Sequence, residues 1–167
     1  MIDFTALQDV ASRLVPHASL HEIKLFGVQA RHQAFSHGES DPWLSDLSVR
    51  LESSASGASN LAFVLVVSAE LLEQSDDGEP EPRVLAELEV AYGALYGVDE
   101  AAGEITPAER EAFGYTVAAM TVWPYIRGVV SRTLADMNFG TSFLIPTVTQ
   151  REMAEAAAAS RDAQIEE

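Results

Sequence analysis

The chain has 167 residues, of which 47% are hydrophobic, and its formal net charge is −16. This length suits one domain, and the hydrophobic fraction is sufficient for a packed core and too high for a disordered chain. There is no cysteine, which excludes a disulfide scaffold and a cysteine-based metal or redox site. The acidic surface repels phosphate, so nucleic-acid binding is disfavoured; the charge fits either solubility or a partner with basic patches.

The first segment is predicted to be a short amphipathic helix over residues 4–14, with Asp3 as its cap and Pro16 beyond its end. The N-terminus shows neither a basic region nor an apolar run, so no signal peptide is expected. The longest apolar run, near residues 61–67, is far too short to cross a bilayer. We therefore expect no membrane insertion.

Residues 20–95 are predicted to form four strands, over residues 20–35, 46–52, 61–72 and 84–95. Gly27 indicates a bulge in the first strand. The expected faces of that strand hold Ile23 and Leu25 on one side and Phe26, Val28 and Ala30 on the other. Short turns, including an acidic one at residues 75–82, separate the later strands. Strands in sequence with such connections predict an antiparallel meander, with a longer crossover between the first two strands.

Residues 106–163 change to helical periodicity. Thr106 and Glu109 have the spacing of a capping box, and Pro107 occupies the first helical position. Pro124 lacks an N–H and clashes one turn back, so we expect it to break or kink the long helix and to begin its second part. An extended segment at residues 143–148 and a last alanine-rich helix, to about residue 161, complete a single domain over residues 1–167.

No stretch of the sequence has the pattern of an active site. A glycine-rich phosphate loop and a nucleophile elbow are both absent. The four histidines all precede residue 38 and lack carboxylates at ligand spacing, and the acids of residues 73–82 do not follow the pattern of a calcium loop. We expect a protein that is not an enzyme and binds no metal or cofactor.

Four stretches together resemble the SecB family of export chaperones: WLSDLSVRL at residues 43–51, EVAYGALYGV at 89–98, WPYIR at 123–127, and Phe139 with LIPTV at 144–148. Their order agrees over about residues 20–150. The resemblance implies an α+β fold with a four-stranded antiparallel sheet and helices on one side. It also implies a homotetramer, built as a dimer of dimers, in which first strands meet between subunits. The implied function is ATP-independent holding of unfolded polypeptides, such as preproteins, in apolar grooves in the cytoplasm.

The chain departs from the export chaperones at two positions of the sheet face. Gly27 and Arg31 stand where those chaperones carry acids that dock the translocase motor SecA, whereas Glu89 keeps its acid. Weak or absent binding of SecA is therefore expected. The N-terminal helix resembles the solitary SecB-like proteins that protect an antitoxin in toxin–antitoxin systems. An antitoxin client, a purely oligomeric adaptor and a small-molecule-binding domain remain open alternatives.

The resemblance implies a client-binding groove lined by six residues, namely Trp43, Leu44, Phe35, Trp123, Phe139 and Phe143. Trp43 with Leu44 is expected in the crossover, where it either grips clients or anchors the crossover to the core. Large aromatics such as Trp123, Phe139 and Phe143 are more often core residues than residues that contact a client. Three helix residues are expected at subunit contacts, namely Tyr125, Arg127 and Val129. Arg127 is either solvated or part of an intersubunit ion pair, because a buried arginine needs a partner.

Overall fold

The computed structural model describes residues 4–34, 42–55, 59–74 and 81–139. In chain order these form α1 (Phe4–Ser12), a 3₁₀ turn (Val15–His17), β1 (Ala18–His32), β2 (Trp43–Ala55), β3 (Asn60–Glu73), β4 (Arg83–Val98), a second 3₁₀ turn (Glu100–Ala102), α2 (Pro107–Phe113), a π-helical turn (Gly114–Ala118) and α3 (Ala119–Asp136). Phe35, Phe143, the extended segment before the last predicted helix and that helix itself lie outside the described residues.

The four strands form one antiparallel sheet in the order β1-β4-β3-β2. Strands β2, β3 and β4 make the expected meander. Strand β1 pairs with β4 instead of β2, so the first connection crosses the sheet. Residues 33–42 can span about 33 Å, which exceeds the roughly 14 Å between the first and fourth strands of a sheet. Within the described residues, β1 and β2 are therefore the two edges.

A bulge in β1 falls next to Gly27, as predicted, but it changes the expected faces. The pairing shifts between Leu25, opposite Tyr92, and Gly27, opposite Ala91. Phe26 is the extra residue. One added residue reverses the alternation, so Leu25 and Val28 share a face and Phe26 lies on the other. The prediction that Phe26 and Val28 share a face is thus wrong.

Helix α3 lies along β4 and runs in the opposite direction. The Tyr96 hydroxyl donates a hydrogen bond to Thr121 Oγ1 at 2.8 Å, and the Tyr92 and Tyr125 rings are 5.9 Å apart. Beyond the end of α3, Phe139 reaches the last residue of β1. The main core fills the space between the sheet and the helices, and its fully buried side chains include Leu61, Leu65, Leu71, Phe113, Ile126 and Leu134.

The opposite face of the sheet carries no helix among the described residues, and we call it the helix-free face. Glu87 and Glu89 of β4 lie on it, because they alternate with Leu88 and Val90, which are buried. The helices therefore cover one side of the sheet only. This arrangement confirms the α+β architecture expected from the sequence.

The helical half begins at the predicted capping box. Thr106 Oγ1 accepts a hydrogen bond from the Glu109 N–H at 3.2 Å, and Glu109 Oε2 accepts one from the Thr106 N–H at 2.9 Å. Pro124, however, lies inside α3 and does not begin a new helix. The irregular turn is upstream, at Gly114–Ala118. Proline removes one backbone hydrogen bond, and burial of neighbouring apolar side chains such as Ile126 keeps the helix continuous.

Helix α1 is attached to the start of α2 by one arginine. The Arg13 guanidinium binds the Glu109 carboxylate at both oxygens and also donates to the carbonyl oxygens of Ala102 and Glu104. Hydrogen bonding from Arg13, and then from the Thr106 backbone, lowers the pKa of Glu109 from 4.5 to about 2. Leu14, just beyond, is fully buried. The N-terminal segment is thus an integral layer of the domain.

Candidate functional site

Three of the predicted groove residues lie at one end of the sheet, Leu44 and Phe139 on its helix side and Trp43 on the other side. A cross-strand row on the helix side joins all four strands there and consists of Leu44, Leu71, Ala86 and His32. The Phe139 ring stacks on the His32 ring, with centroids 5.3 Å apart and an interplanar angle of 15°. Trp43 precedes Leu44 and pairs with Leu72. We call Trp43, Leu44, His32 and Phe139 the crossover end.

Trp43 presents the largest apolar area of the crossover end. It is 38% exposed, whereas Leu44 and Phe139 are partly buried against the core. The sequence suggested that Trp43 lies in the crossover loop. In the structure it is the first residue of β2. Strand pairing therefore holds its backbone, and an aromatic side chain on a fixed strand loses little entropy when it contacts a partner.

Trp123 lies elsewhere, which corrects the predicted groove. It is 2% exposed and belongs to the core. It is close in the helix to Thr121, which bonds Tyr96 near the far end of β4. The thirteen residue steps from Trp123 to the end of α3 at Asp136 correspond to about 20 Å of helix. Packing of α3 on the sheet buries this aromatic and separates it from Trp43.

A second candidate surface combines the edge strand β1 with the outer side of α3, and we call it the β1–α3 surface. Large apolar side chains of β1 are exposed on its helix side, namely Leu20, Leu25 and Val28. Tyr125 of α3 is 49% exposed and contacts the Tyr92 ring. Arg127 is half-buried, and Val129 is half-buried against the core. An edge strand with exposed apolar side chains is a typical surface for association with another chain.

Glu89 lies on the helix-free face, in a cleft of about 360 Å³. Cross-strand partners bring other charged and polar groups to the same cleft, namely Gln29, Arg31, Ser68, Glu70 and Glu87. Ser68 Oγ is 3.4 Å from Glu89 Oε2. Arg31 is opposite Glu87 and therefore adds a positive charge to an otherwise acidic face. Gly27, opposite Ala91, lies on this face too and adds no charge.

Two further observations concern the described residues alone. They contain no group of three or more His, Cys, Asp or Glu side chains placed to hold a metal ion. In the same part of the chain, no helix combines the length and apolar character needed to cross a membrane.

The sequence matches no protein-family model and no curated protein. Among solved structures, the fold is that of a SecB-like protein. The chain is similar to the SecB-like chaperone of Mycobacterium tuberculosis in complex with a ChAD peptide from an antitoxin. The TM-score is 0.69 and the identity 21%, and the match covers 86% of this chain and 99% of that chain. The SecB-like α+β fold expected from the sequence is therefore confirmed.

Proposed function

We propose that the protein is an ATP-independent chaperone that holds unfolded polypeptides at an apolar surface. The observation that carries the proposal is the half-exposed Trp43, fixed at the start of β2 in a SecB-like fold. Leu44 and the stacked His32–Phe139 pair add apolar side chains on the helix side of the same end of the sheet. Holding a polypeptide requires contact area and no bond chemistry, which agrees with a site built from apolar side chains.

Two classes of client fit this proposal. The first is the general one, preproteins or other unfolded chains in the cytoplasm. The second is a dedicated antitoxin, and it is supported by the antitoxin peptide bound to the similar M. tuberculosis protein. A toxin–antitoxin gene pair beside the gene for this protein would favour the second class. Its absence would favour the first.

We further propose that the β1–α3 surface mediates assembly into a homotetramer, a dimer of dimers. Tyr125 and the exposed apolar residues of β1 support this, because association would cover them. Val129 lies one turn after Tyr125 on the same side of α3, whereas Arg127, two residues after Tyr125, faces another side. Light scattering on the full chain tests the assembly. A dimer or tetramer is expected, and a strict monomer would contradict it.

Docking of the motor SecA at Glu89 is proposed to be weak. Glu89 is exposed on the helix-free face, but Arg31 and Gly27 supply no acid there. A pull-down with purified SecA should recover little of the protein. Strong recovery that is lost on Glu89→Lys would overturn this part of the proposal.

Holding is tested with a chemically unfolded client that aggregates on dilution. Equimolar protein without ATP should slow the rise in light scattering, and added ATP should change nothing. The same assay separates the holdase from an adaptor that binds folded partners only. If no client tried aggregates more slowly, the holdase proposal fails and an adaptor function is favoured.

A further inference from the structure

Strand β1 is exposed along almost its whole length. Of its 15 residues, only Ala18 and Ile23 are partly buried, and none is fully buried. The buried Leu14 fixes the segment before β1, and β1 itself has no such residue. Burial of one face is what normally sets the register of a strand, and a strand without it can slip along its neighbour. The register of β1 on β4 therefore needs another determinant.

Two aromatic rings of β1 lie over two glycines of β4. The pairing of the two strands shifts twice, and the extra residue is His21 at the first shift and Phe26 at the second. A Cβ at Gly97 would overlap the His21 ring, and a Cβ at Gly93 would overlap the Phe26 ring. Both glycines belong to the side of β4 that faces away from the helices. Each ring therefore occupies space that a side chain of β4 would otherwise fill.

The rings and the glycines match in one register. The glycines are four residues apart on β4, and the rings are five residues apart on β1, because Phe26 is itself an added residue. A slip by one residue would turn both rings to the other side of the sheet. A slip by two residues, in either direction, would place one of the rings over Leu95, which has a side chain. Only the observed register gives each ring a glycine.

Neither ring is buried in the core. Phe26 is 60% exposed, and His21 is exposed as well. Each ring has a polar neighbour on its own strand, since Ser19 Oγ lies 3.3 Å from His21 Nε2 and Lys24 Nζ lies 5.9 Å from the centroid of the Phe26 ring. An aromatic ring over a cross-strand glycine restores the side-chain contact that the glycine lacks. The rings therefore act across the pairing of β1 with β4.

We propose that His21 and Phe26 are positioning residues that fix the register of β1 through their contacts with Gly97 and Gly93. A fixed register keeps the exposed apolar side chains of β1 on the helix side, as the β1–α3 surface requires. This second consequence rests on the proposed assembly, whereas the register of β1 is a property of the single domain.

Engineered cysteines report the register directly, because the sequence contains no cysteine. Gln29 and Glu89 are exposed cross-strand partners, so Gln29→Cys with Glu89→Cys should form a disulfide in the native register. Gln29→Cys with Val90→Cys, or with Leu88→Cys, can form one only after a slip by one residue. Adding Gly93→Ala and Gly97→Ala should speed at least one of these slipped cross-links about tenfold, since each alanine displaces a ring.

Hydrogen exchange of the β1 amides tests one ring–glycine pair by itself. Gly93→Ala and Phe26→Ala should each lower the protection of these amides about fivefold. The two changes together should lower it no further, because either one removes the same contact. Phe26→Tyr and His21→Phe keep a ring and should retain protection. Gly27→Ala is the matched control on the same strand and should stay within twofold, because a Cβ there meets nothing within 4 Å.

Additive losses of protection in Gly93→Ala with Phe26→Ala would overturn the proposal. So would slipped cross-links that the two alanines do not speed. Light scattering separates the register from the assembly. A native chain that cross-links in the native register but is a monomer would leave the positioning role intact and contradict the proposed assembly. Faster slipped cross-links in an oligomer of unchanged mass would show that assembly does not depend on this register.

Discussion

Trp43→Ala is the change that tests the proposed client surface most directly. A tryptophan side chain offers up to about 250 Å² of contact area, and at 38% exposure about 95 Å² of it remains for a client. At about 25 cal/mol per Å² this area corresponds to at most about 2.4 kcal/mol. Part of that is offset by ordering of the client, so we expect a loss of about 1–2 kcal/mol, or about 5- to 30-fold in affinity.

The chain offers a matched control, because it has only two tryptophans. Trp123→Phe removes the buried one and should lower the melting temperature while leaving client affinity unchanged. It also leaves Trp43 as the single tryptophan. The emission of Trp43 should then shift to shorter wavelength when an unfolded client binds, because the indole becomes less hydrated.

The assay measures affinity for a labelled unfolded client by fluorescence anisotropy, with light scattering on each variant to confirm an unchanged oligomer. Trp43→Phe should lose less affinity than Trp43→Ala, because a ring remains. Unchanged affinity of Trp43→Ala, together with a Trp43 emission that does not move on client binding, would remove this residue from the client surface and refute the reasoning.

Three further predictions concern the scaffold and its assembly. Gly114→Ala should destabilise the fold by about 1–3 kcal/mol, seen as a lower melting temperature, because its Cβ would lie 2.7 Å from Leu51 Cδ2; an unchanged melting temperature would contradict this. The lowered pKa of Glu109 contributes stability that is fully present above about pH 4.5 and is lost as pH falls towards 2. Arg13→Ala should therefore reduce the acid dependence of the melting temperature, and an equally steep dependence would refute the role of this pair. Tyr125→Glu should shift light scattering towards smaller species; an unchanged mass would exclude Tyr125 from assembly.

Much of the local structure could be read from the sequence, because it depends on neighbours in the chain. The Thr106 and Glu109 side chains satisfy backbone groups within one helical turn, so their spacing predicted the start of α2. Gly27 correctly indicated the bulge of β1. Along β4, Glu87 and Glu89 alternate with Leu88 and Val90, and this local alternation separates an acidic side from an apolar side.

The candidate site was only partly predictable, because its exposure depends on contacts between residues far apart in the chain. The sequence indicated large aromatics but could not show which of them packing would bury. Trp43 and Trp123 both have apolar neighbours in the sequence. Nevertheless, Trp43 is half-exposed at the start of a strand, whereas Trp123 is in the core. Gly27 indicated a bulge in β1, but the side of the sheet on which Phe26 lies depends on the exact residue inserted.

The composition, the capping box and the strand alternation are properties of the chain itself. Together with the four stretches that resemble the SecB family, they led to the prediction of a SecB-like α+β domain. The tertiary structure decided three other features. They are the pairing of β1 with β4, the continuity of α3 through Pro124, and the separation of Trp43 from Trp123. These features depend on contacts between residues far apart in the chain. Their free energy comes from burial of shared apolar surface, which no local pattern records.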